Sequence, residues 1–131
     1  MAKAPAGYSG KSLDDKLGLK AGLRAAAIEP PAHYASLLAT PPGAFGKGAY
    51  DLIHLFAKDR AALAKHLPRA LKQLATGGAI WVSWPKKTSP LFKDLTEDGV
   101  RERALPMGIV DVKVCAVDQD WSGLKLMRRK K

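Results

Sequence analysis

The sequence predicts a three-layer α/β domain with a mixed sheet of about five strands, mostly parallel and closed by an antiparallel hairpin near its C-terminal end. Three observations lead there. Apolar runs of strand length alternate with helical or loop segments, and connections of that kind suit parallel strands with right-handed crossovers. Only the last two strands are close enough for a hairpin, through the three residues Asp118, Gln119 and Asp120. The chain has 131 residues, 47% of them hydrophobic, which is enough for a single core.

Ser12 begins a capping box in which Asp15 takes the place of Glu, and Leu13 and Leu17 sit four apart before Gly18, so a short first helix is expected. Leu23 to Ile28 is the first strand, closed by Glu29, Pro30 and Pro31. His33 to Leu38 suits one or two helical turns, and Thr40 to Gly48 is a loop. Asp51 to Phe56 is an apolar run fitted to a strand covered on both faces, interrupted only by His54. Asp59 caps the longest helix, whose stripe is Leu63, Leu67, Leu71 and Leu74. Pro68 should kink that helix or open a second one, and Gly77 and Gly78 should end it. Ala79 to Trp84 is the third strand. Asp94 is expected to cap a helix running to about Leu105, stopped by Pro106 to Gly108. Ile109 to Val117 and Trp121 to Met127 form the closing hairpin as the fourth and fifth strands, and strands one to four should be mostly parallel.

Charge is unevenly placed. Lys and Arg number 22 against 12 Asp and Glu, a net +10, and Arg128, Arg129, Lys130 and Lys131 supply four of those charges. They read as a solvated basic tail, 128–131, after a single domain of 1–127, with weak attraction to polyanions. No apolar run approaches the ~18 residues of a membrane span, and charges throughout the first twenty residues exclude a signal peptide, so a cytoplasmic protein is expected. Cys115 is alone and sits in a Val-rich strand, where an inert buried thiol is the expectation; His33, His54 and His66 lack metal-ligand spacing, so no metal is expected. Gly10-Lys11-Ser12 lacks the glycine of a P-loop five residues earlier, where Pro5 stands, and Gly43-Ala44-Phe45-Gly46 lacks the two flanking helices of a KH loop. There is no G-x-S-x-G elbow and no catalytic residue is assigned.

The stretches Leu19 to Ile28, Asp51 to Phe56, Leu67 to Leu74 and Gly77 to Val82, with the closing hairpin, resemble a Rossmann-like methyltransferase fold in shortened form. Across the whole chain, Gly7 to Lys11, Trp84 to Lys87, Asp94 to Glu97, Val110 to Cys115 and Trp121 to Lys125 resemble a small bacterial family grouped as a domain of unknown function. The methyltransferase likeness implies S-adenosylmethionine as a cofactor. That cofactor calls for a glycine-rich turn after the first strand, and here the turn is Glu29-Pro30-Pro31-Ala32-His33, in which two prolines remove amide donors. No Asn-Pro-Pro-Tyr-like motif follows Phe56; Ala57-Lys58-Asp59 stands there instead.

Ligands meet an open parallel sheet at the carboxyl ends of its strands. That edge should gather Glu29, Lys58, Trp84, Lys86 and Lys87, and if the fourth strand is parallel as well, the hairpin tip adds Asp118, Asp120, Trp121 and Ser122. The expected function is binding of a small anionic ligand or a protein partner, without catalysis. Lys86 and Lys87 would contact the anion, Trp84 and Trp121 would form apolar walls, and Ser122 would add a polar contact. One alternative is a divergent S-adenosylmethionine-dependent methyltransferase in which Glu29 helps to hold the cofactor. Another is nucleic-acid binding through the basic surface, with no membrane partner. The cofactor itself is left unassigned.

Overall fold

A computed structural model describes residues 12–19, 22–39 and 41–129; the Gly7 to Lys11 stretch, Lys130 and Lys131 lie outside them. Six strands form one sheet: β1 (Ala25–Ile28), β2 (Gly43–Ala44), β3 (Tyr50–Phe56), β4 (Leu74–Pro85), β5 (Ile109–Ala116) and β6 (Trp121–Arg128). Their order is β2-β1-β3-β4-β6-β5, with the first four parallel. β6 is antiparallel to both β4 and β5, so β5 runs with the first four and meets the condition that brings the hairpin tip to their carboxyl edge. The extra strand, β2, lies inside the expected loop. A two-residue parallel bridge, Gly43 and Ala44 on Ala26 and Ala27, is too short to carry an alternating pattern.

Alternation along β3 sorts the core into two layers. Ile53 and Leu55 join Leu63, Leu67 and Ala70 of α3 (Arg60–Lys72) and Val100 and Ala104 of α4 (Glu97–Ala104) on one face. Leu52 and Phe56 join Leu17 of α1 (Leu13–Leu17) and Tyr34 of α2 (Tyr34–Leu37) on the other. The fold is a mixed, three-layer α/β arrangement. The short α1 is fixed at three points: Ser12 accepts from Asp15 N, Gly18 takes a φ of 84°, and buried Trp81 donates its indole N–H to Leu17 O at 2.9 Å.

Four expectations change in detail. The helix containing Pro68 is one continuous run of 13 residues, with the proline ring exposed. It ends at Gln73 rather than at the glycines, because Leu74 already pairs with Tyr50 in the sheet; Gly77 and Gly78 lie within β4. A Cβ on Gly78 would meet Leu74 Cδ1 at 2.8 Å and Asp51 O at 3.0 Å, so that glycine permits close strand packing. Asp94 does not cap the helix expected of it: α4 is capped by Thr96, while Asp94 accepts from Arg60 N, the first residue of the α3 helix that Asp59 caps. Finally, Arg128 belongs to β6, and its guanidinium donates to Leu71 O, Leu74 O and Ala75 O, so the side chain that heads the expected tail is anchored.

Candidate functional site at the carboxyl edge of the sheet

β1, β3 and β4 all end at one edge, and the N-terminus of α3 and the start of β6 reach the same edge. A cleft of about 660 Å³ opens there. That is within the range of small-molecule sites, roughly 300 to 1,000 Å³. Phe56 and Trp121 form an aromatic floor, their rings 5.0 Å apart in an edge-to-face pair, and Pro31, Pro85 and exposed Leu91 add apolar wall. Lys58, Lys65 and Lys93 stand on the rim with Glu29, Asp59 and His66.

The polar groups are mostly donors. Asp59 is committed: it accepts from Ala62 N at 2.8 Å, which together with Lys93 at 3.2 Å holds its carboxyl below the usual range. Lys58 and Lys65 form no ion pair among the described residues. Burial, then the neighbouring Arg69 and Lys65, push His66 down, so it is neutral near pH 7. Its Nδ1 lies 2.7 Å from Arg69 Nη1, and because a guanidinium only donates, Nδ1 is the acceptor and the proton sits on Nε2. Trp121 is 7% exposed, and its buried Nε1–H has no acceptor among the described residues. Against these donors, Glu29 is the one rim carboxylate not committed to a cap or an ion pair among the described residues. It holds a φ of 54°, in the left-handed region that a non-glycine residue rarely adopts, and lines a second concavity with Pro30 and Arg69.

The structure brings some of the expected site residues together and separates others. Trp121 and Glu29 line the cleft; Trp84, Lys86, Lys87 and Ser122 do not. The two indoles lie on opposite faces of the sheet, Trp84 in the core under α3 and α4 and Trp121 with Phe56 on the other side. Ser122 is the cross-strand partner of Trp84. Lys86 N donates to Asp120 O at 2.8 Å, tying the hairpin tip to the end of β4. Asp118 accepts from the backbone of Asp120 and Trp121 and pairs with His33 at 2.7 Å, so the tip sits on the expected edge. Lys65, His66 and Lys93 were not among the expected residues. The first two follow from α3 leaning over the edge, and a helical reading from Asp59 places them one to two turns in. Lys93 lies in a loop, where no periodic signal marks it.

Residues 47–130 match the sequence family described as "Protein of unknown function (DUF3052)". No curated protein matches. Among solved structures, the ribosomal protein L11 methylase of Lactobacillus delbrueckii subsp. bulgaricus is 15% identical with a TM-score of 0.55, over 91% of this chain and 64% of that one. LepI, in its complex with SAM, is 12% identical with a TM-score of 0.54, over 89% of this chain and 39% of its own. A SAM-dependent methyltransferase of Leishmania major is 15% identical with a TM-score of 0.50, over 79% of this chain and 55% of that one. The chain thus spans less than two-thirds of the length of each, and the likeness is one of fold.

Proposed function

Since the chain belongs to the DUF3052 family, a family of unknown function with a methyltransferase-like fold here, we propose from its own geometry that it binds a small anionic ligand with an apolar body. The ligand lies in the carboxyl-edge cleft, against Phe56 and Trp121. The donor excess carries this reading. Lys58 and Lys65 neutralise the anion, while His66 Nε2–H offers a neutral donor from the wall. The binding residues thus move from Lys86 and Lys87 to Lys58 and Lys65, while Trp121 keeps the role expected of it.

A second reading, a divergent S-adenosylmethionine-dependent methyltransferase, is favoured by Glu29. Its carboxylate ends β1 and lines both neighbouring concavities, where it can face an ammonium group or ribose hydroxyls. The remaining residues do not fit that cofactor. Pro30 and Pro31 offer no N–H where its turn needs them, and a lysine rim repels a sulfonium.

Fluorescence titration with anilinonaphthalene sulfonate, an apolar anion, separates the two readings. Native protein should bind it saturably, and Lys58→Ala with Lys65→Ala should weaken binding by about tenfold or more. The pair Lys86→Ala with Lys87→Ala should leave affinity unchanged; a loss confined to that pair would move the site to the outer turn. Displacement of the dye by S-adenosylmethionine at micromolar concentration would favour the methyltransferase reading instead.

A further inference from the structure

Away from the cleft, a concavity of about 300 Å³ lies between the loop after β2 and the C-terminal half of α3. Its lining is Phe45, Gly46, Lys47, Arg69, Lys72 and Gln73, with three cations and no carboxylate. A helix C-terminus attracts cations by its own partial negative charge, which accounts for Arg69 and Lys72. It does not account for Lys47, which belongs to a separate segment. Nor does it account for Arg24, which leads into β1 and donates from Nη2 to Lys47 O at 3.2 Å.

The guanidinium groups are held in place by aromatic rings. Arg69 lies 5.6 Å from the centroid of Phe45 and Arg24 lies 5.1 Å from that of Tyr50, with the two rings 5.4 Å apart. No ion pair engages Arg24, Lys47, Arg69 or Lys72 among the described residues. Gln73 Oε1 accepts from Gly48 N at 2.9 Å, which leaves its amide NH₂ as another donor. Glu29 shares the neighbouring concavity with Arg69, and Asp51 Oδ2 accepts from Arg24 N at 3.0 Å, but the lining of this one holds like charges without a carboxylate, which a bound anion would balance.

We propose that this concavity binds a phosphate group, carried by a free phosphorylated ligand or by the backbone of a single-stranded nucleic acid. Arg69, whose Nη1 already donates to His66 Nδ1, supplies its remaining N–H donors to phosphate oxygens, and Lys47 and Lys72 act as point charges.

The test is amide NMR of the intact protein, titrated at constant ionic strength with sodium pyrophosphate and, separately, with a thymidine oligonucleotide. The Gly46, Lys47 and Gln73 amides should shift saturably with at least one probe. Lys47→Glu with Lys72→Glu should weaken that binding by about tenfold or more, and the neutral pair Lys47→Gln with Lys72→Gln should weaken it less. Lys58→Ala with Lys65→Ala, which alters the other cleft, should leave it unchanged, so the two sites stand or fall separately. Tighter binding of the oligonucleotide, steeply lost with salt, assigns the phosphate to a nucleic-acid backbone; tighter binding of pyrophosphate assigns it to a free ligand. The absence of saturable shifts at these amides with both probes overturns the proposal, as does undiminished affinity in the charge-reversed protein with native signal dispersion.

Discussion

Trp81 and Trp121 present the same indole N–H to different surroundings. Trp81 is fully buried and its Nε1 donates to Leu17 O, whereas the Nε1 of Trp121 is buried without an acceptor among the described residues. Replacing Trp81 by Phe leaves a buried carbonyl unpaired and should cost about 1 to 3 kcal/mol. Replacing Trp121 by Phe removes a donor that has no partner, so its cost should be smaller by at least about 1 kcal/mol. Urea unfolding of the two variants checks the difference. The composition shows three tryptophans, but nothing local distinguishes a bonded indole from an orphaned one. The partner of Trp81 lies 64 positions away.

At the level of elements, α3 shows what local rules reveal and what they miss. Asp59 is a cap by residue type and by geometry, and Leu63 and Leu67 face the core as their spacing requires. Pro68 reads as a break because a proline interior to a helix loses a bond, yet packing of Leu67 and Ala70 against the sheet keeps the helix whole. Pro68→Ala should therefore raise stability, by up to about 3 kcal/mol, with an increase in Tm as the readout. Leu74 fits the same helical stripe, but its pairing with Tyr50 draws it into β4, a contact that periodicity alone does not encode. The cleft divides similarly. Lys58 and Glu29 are legible as strand ends, whereas Lys93 reaches the rim because Asp94 ties its loop to the start of α3 and its own ammonium pairs with Asp59.

For the molecule as a whole, stability should follow pH in two windows. Burial lowers His54 from 6.5 to about 3, between the Tyr34 hydroxyl at 3.0 Å and Ser83 Oγ at 2.7 Å, and His66 is lowered as well. A histidine held neutral in the fold contributes stability that is fully present above its unfolded pKa and is lost as pH falls toward its folded one. Unfolding free energy should thus decline from about pH 6.5 downward, by of order 1 kcal/mol per pH unit. Asp59 and Asp111, both held below the usual carboxylate range, add their losses only below about pH 4. Urea midpoints across pH 3 to 8 trace both windows; a flat profile between pH 4 and 6.5 would mean that neither histidine is held neutral. The sheet order has a further, temporal consequence. β6, synthesised after the other five strands of this sheet, is an inner strand, and β4 and β5 meet only through it. Until it emerges, the nascent chain presents β4 as an open hydrophobic edge and β5 without a neighbour. Closure of the core therefore waits for Trp121 to Arg128, and a stall in translation before that point leaves an aggregation-prone intermediate rather than a smaller stable protein.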